Sequence, residues 1–133
     1  MTRAPRTAGF TLIELLIVVV IIGLLAAIAI PKFAATKDKA YMASMRGDLR
    51  NLATAQEAYF SEYSTYYSGT IPNAGMLYSP SPGISIVVNE ADNAGWAATA
   101  TSPMLASAAC ALFVGNAAAA TPATVNGVIG CQN

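Results

Sequence analysis

Apolar positions divide the chain into three parts. From Phe10 to Ile30 they run almost without a break; from Lys32 they recur every third or fourth residue; beyond Tyr63 they gather in short β-branched runs between turns. The first run, roughly 20 residues, is long enough for a helix to cross a hydrocarbon core of about 30 Å. Its β-branched stretch Ile17 to Ile22 is tolerable in lipid, where backbone groups must be satisfied internally. One acid, Glu14, interrupts the run. A carboxylate at membrane depth costs on the order of 2.5–3.5 kcal/mol, so it reads as functional and in need of a partner. Gly23 and Pro31 are the weak points of this helix. Proline withholds an amide and clashes with the carbonyl four residues back, so a bend is expected between Ile28 and Pro31.

The second part is amphipathic. Met42, Met45, Leu49, Leu52, Gln56, Tyr59 and Tyr63 fall on one helix face, with Gln56 the one break in the stripe. Lys37, Asp38, Arg46, Asp48, Arg50 and Glu57 are assigned to the opposite, solvated face. Helix is therefore predicted from Phe10 to about Tyr63, roughly 80 Å at full length. Ser64 to Gly83 is rich in turn signals and reads as a surface loop with a short strand near Met76 to Tyr78. Strands are predicted at Ile84 to Val88, Gly95 to Thr101 and Ala109 to Val114, with Val125 to Cys131 returning to the sheet. Asn89 to Gly95 is a turn, and Asn116 to Thr121 is loop. The expected fold class is α+β: one long helix carrying a small antiparallel sheet.

A cut between Gly9 and Phe10 would give Phe10 a free α-amino group. That group lies four residues before Glu14, a spacing that shares a helix face, and it supplies the missing counter-charge in the same chain or a neighbour. The basic segment with Arg3 and Arg6, then Gly9, Phe10-Thr11-Leu12-Ile13-Glu14, the unbroken apolar run and Pro31 closely resemble the N-terminal signature of type IV prepilins. The resemblance covers the first quarter to third of the chain. It implies a leader at residues 1–9, a transmembrane and filament-core helix half at 10–31, and an amphipathic half plus globular head at 32–133. It further implies cleavage after Gly9 and N-methylation of Phe10 by a membrane peptidase and methyltransferase, with Glu14 setting register between subunits. Implied partners are further copies of the chain in a helical filament, an assembly platform with minor pilins, and the inner membrane before assembly. In assembled pili of that family the segment from Gly23 to Pro31 can unwind.

An ordinary secretory signal with an Ala27-Ile28-Ala29 cleavage site is disfavoured, since Glu14 breaks the hydrophobic region and Pro31 lies just past that cut. Charge alone leaves orientation open, because Arg3 and Arg6 on one side face Lys32, Lys37 and Lys39 on the other. The chain has 133 residues, seven basic and seven acidic side chains, and no histidine. Without Arg3 and Arg6 five basic residues remain against seven acids, which is no footprint for nucleic acid. A head this small buries too little surface to be comfortable without a staple. Cys110 and Cys131, an even pair on the expected exported side, suggest a disulfide worth roughly 3 kcal/mol; two reduced, buried thiols are the alternative.

No catalytic constellation, cofactor or metal motif stands out. Glu57 and Glu62 read as solvated surface. Glu90-Ala91-Asp92-Asn93 offers too few carboxylates for calcium and reads as a polar turn. The aromatics Tyr41, Tyr59, Phe60, Tyr63, Tyr66 and Tyr67 read as packing area. The expected function is a non-enzymatic pilus subunit, membrane-held and then extracellular. A pseudopilin of a type II secretion system is the alternative, and a membrane-anchored binding module that never polymerises stands as a third class.

Overall fold

A computed structural model describes residues 9–132. It forms two compact units, one ending at Thr36 and the other beginning at Lys37. A single helix, α1 (Leu12–Tyr63, 52 residues), contributes its first half to one unit and its second half to the other.

In the first unit the described residues are helix from Leu12 onward, and their side chains are uncovered. Its large apolar side chains stand exposed from Phe10 to Phe33. The helix is long and apolar enough to cross a membrane, and none of its most apolar stretch is buried. Such a surface is stable only against lipid or other apolar helices. Helix begins at Leu12 rather than at Phe10 as expected. Thr11 halts it: its carbonyl accepts the first helical bond, from Leu15 (3.4 Å), while its side chain caps the first turn.

The second unit is an α+β head, as the pattern predicts. Strands β1 (Ser85–Ala91), β2 (Gly95–Thr101), β3 (Ala109–Gly115) and β4 (Gly130–Gln132) form one antiparallel sheet in the order β1-β2-β3-β4. Alternation along β2 sends Trp96, Ala98 and Ala100 towards α1, where Met45, Leu49 and Leu52 complete a fully buried core. Ala97, Ala111 and Phe113 point the other way, under the loop that carries Ala117 and Ala123. Both sheet faces are thus covered, one by a helix and one by a loop.

Four local expectations are corrected. Met76 to Tyr78 is no strand: residues Ala74–Met76 make a 3-10 turn capped by Asn73, and only an isolated bridge joins Asn73 to Tyr78. Strand β1 runs past Val88 to Ala91 through a bulge at Asn89, so the turn is shorter than predicted. Val125 to Ile129 is not strand, because this segment turns beside the edge of β3, where the Gly127 amide bonds the Phe113 carbonyl (2.8 Å) and the Asn126 side chain bonds the Gly115 carbonyl (2.6 Å). Asp48 is buried rather than solvated, because its carboxylate accepts from the Ser81 amide (3.0 Å) and hydroxyl (2.9 Å). Gln56, the break in the apolar stripe, is also explained. It is fully buried, and its amide accepts from Tyr67 N–H (2.8 Å) and donates to the Tyr67 carbonyl (3.0 Å), as a paired strand would.

Candidate processing and assembly site

The start of α1 is a small built device. Thr11 and Glu14 stand three apart, and the helix opens between them. The Thr11 amide (2.8 Å) and hydroxyl (2.7 Å) both donate to Glu14 Oε2, while the Glu14 amide donates to Thr11 Oγ1 (3.3 Å). This reciprocal pattern is a capping box, which satisfies donors that a helix start otherwise leaves orphaned. Phe10 and Leu15 occupy the positions of a hydrophobic staple around it. A carboxylate in the first turn also suits the positive end of the helix dipole.

Sequence reasoning took Glu14 only as a charge awaiting a partner and missed Thr11. The signal was present: Thr-x-x-Glu before an apolar run. Here the Phe10 nitrogen is an amide, and the Glu14 carboxylate accepts from Thr11. Phe10 itself is 86% exposed, and Gly9 is exposed beside it. The basic segment with Arg3 and Arg6 lies outside the described residues.

Gly23 and Pro31 both sit within continuous helix. Nothing lies within 4 Å of where a Cβ on Gly23 would stand, so the chain's own packing does not require glycine there. Cys110 and Cys131 are disulfide-bonded across paired residues of β3 and β4. Arg46 Nε lies 3.3 Å from Cys131 Sγ, on the rim of the same sheet edge. Of the predicted Glu90–Asn93 turn, Glu90 and Ala91 belong to β1; Asp92 Oδ1 accepts from the Ala94 (2.7 Å) and Gly95 (2.8 Å) amides, a local turn bond. Aromatic pairs gather at the end of α1: Tyr59 with Tyr63 at 4.4 Å, Tyr59 with Tyr67 at 5.4 Å and Phe60 with Tyr66 at 4.7 Å between ring centres. Glu57 accepts from the Tyr66 hydroxyl (3.0 Å). Burial, then this bond, raises the pKa of Tyr66.

A capped acid opening an uncovered apolar helix, in a chain with a disulfide-closed α+β head, defines a class of chain: a small head carried on a long apolar helix. Residues 5–30 match the prokaryotic N-terminal methylation motif. The chain is 46% identical over 79 residues to the type IV major pilin PilA of Myxococcus xanthus, covering 56% of this chain and 36% of that protein. It is 58% identical over 40 residues to a type IV narrow pilus major component of Thermus thermophilus, 30% of this chain and 34% of that one. It is 39% identical over 63 residues to the type II secretion system core protein G of Pseudomonas aeruginosa, 47% of this chain and 44% of that one. Each match spans less than half the relative's length. Motif and relatives thus make the N-terminal part of the chain similar to type IV pilins and to type II secretion core protein G, and the α+β head on a long helix is consistent with the pilin fold.

Proposed function

We propose that the chain is a structural, non-catalytic subunit of a type IV pilus. Residues 1–9 are removed as a leader, Phe10 is methylated, and residues 10–31 wait in the membrane until assembly carries them into a bundle of like helices. The observation that carries this reading is an apolar helix uncovered by its own chain and headed by one acid. Leaving lipid for a helix bundle changes hydrophobic energy little, since both surroundings are apolar. The specific gain then comes from packing and from pairing Glu14 with the amine of a cleaved Phe10. Gly23, open on all sides in the lone chain, leaves room for a neighbouring helix, and the segment to Pro31 is where α1 unwinds on assembly.

The test is mass spectrometry of filaments sheared from the native host and seen by electron microscopy. Filaments built of this chain should begin at methylated Phe10, and Gly9→Val should retain the leader and yield none. Mature subunits starting elsewhere would refute the reading. A pseudopilin role is favoured by the likeness to core protein G. Deleting the chain would then abolish protein secretion and leave surface pili intact.

A further inference from the structure

Among the described residues Leu77 is the most exposed large apolar side chain, at 94%. It also holds a left-handed backbone (φ 48°), an uncommon and costly choice for a bulky residue. Both neighbours are pinned. Met76 is buried in the core, and the Tyr78 hydroxyl donates to the Asp48 carbonyl (2.9 Å). Asn73 caps the turn before it through the Gly75 amide (2.7 Å). The left-handed residue turns one leucine outward on a rigid mount while its neighbours face in. Beside Leu77 the same notch is lined by Asn51, Ala58 and the exposed acid Glu62.

A groove of about 490 Å³ lies elsewhere on the head, floored by Ala53 and Leu112, edged by Val128 and Ile129, and rimmed by Arg46 and Arg50. At about 100° per residue, Asn51, Ala58 and Glu62 fall on one side of the buried stripe of α1, and Arg46, Arg50 and Ala53 on the other. Knob and groove therefore occupy opposite flanks and carry opposite charge. Glu57, the acid on the arginine flank, has Oε1 taken by Tyr66. Lys37, the base on the Glu62 flank, sits about seven helical turns before Glu62.

We infer that the occupant of the arginine-rimmed groove is Leu77 of a second copy of this chain, with Glu62 of that copy facing Arg50. The inference rests on the filament reading above and names the two head patches that meet. Patches on opposite flanks cannot close a reciprocal pair. They repeat head to tail, which builds an open array. The apolar knob supplies burial, and the charges orient the approach.

The test uses full-length chain in native filaments. A short bis-maleimide, which leaves the Cys110–Cys131 disulfide alone, is applied to Leu77→Cys/Val128→Cys filaments. A ladder running beyond dimer is expected, while each single variant stays monomeric. Filaments of the double variant that give only monomer overturn the inference. In a second arm Glu62→Arg alone should lower sheared-filament yield about tenfold, the loss of ~1.4 kcal/mol. Adding Arg50→Glu in the same chain should restore it. Unchanged yield with the single change, or no restoration with the swap, also overturns the inference. Wild-type chain that forms no filament refutes the pilus reading itself, a separate outcome.

Discussion

Glu14 does two separable things, and one substitution splits them. Glutamine fills the third position of a capping box as well as glutamate but carries no charge. Glu14→Gln therefore keeps the helix start and loses the counter-charge, whereas Glu14→Ala loses both. If charge drives assembly, both should lose sheared filaments equally. Amide exchange at Thr11 and Glu14, the two amides the box holds, should quicken only in the alanine variant in detergent, about fivefold for a cap worth ~1 kcal/mol. Filaments from Glu14→Gln at wild-type yield would reduce the acid to a cap. Tyr78 offers a second test. Burial first, and the Asp48 carboxylate second, hold its hydroxyl well above the ordinary tyrosine range. A raised folded value means the stabilisation is intact below about pH 10 and is lost as pH climbs from there towards the folded value. The melting temperature of the chain in detergent should fall above about pH 10. Tyr78→Phe should flatten that fall while lowering the melting point at neutral pH through loss of the bond to Asp48.

Among elements, β4 is the one held least by its own hydrogen bonds, with three residues paired to β3 and Cys131 at their centre. Cys131→Ser should cost about 3 kcal/mol and lower the melting point by more than about 10 °C. Protease cuts should appear first in residues 116–129, which β4 ties down. The elements differ in how far the sequence announced them. The end of α1 at Tyr63 and the inward face of β2 follow from periodicity, because Met45, Leu49 and Leu52 meet Trp96, Ala98 and Ala100 in one core. Asp48 and Gln56 were misjudged for one shared reason. Their partners, Ser81 and Tyr67, come from a loop whose path no local pattern encodes, so a polar residue on a buried face looked like solvent or a flaw. The stretch Asn116 to Thr121 was unreadable because alanine favours no period, yet Ala117 helps roof the sheet. At the helix start the letters of the capping box were visible, and attention to charge hid them.

For the whole molecule, the two units have opposite solvent needs. The head has its own core, whereas the first unit has none among the described residues. Chain beginning at Lys37 should be a soluble monomer by size exclusion and melt cooperatively, while the full chain without detergent should aggregate. A truncated head that precipitates or melts without a transition would contradict this. The second sheet face adds a constraint on how such a head can diversify. Its roof lies so close that a Cβ on Gly130 would fall 2.5 Å from both Ala123 Cα and the Pro122 oxygen, and Ala97 and Ala111 leave no slack beneath. Enlarging any of these side chains would pry the cover off, so sequence drift in this head is confined to the rim, at Ala118, Ala119 and Thr124 to Asn126, with the interior kept small.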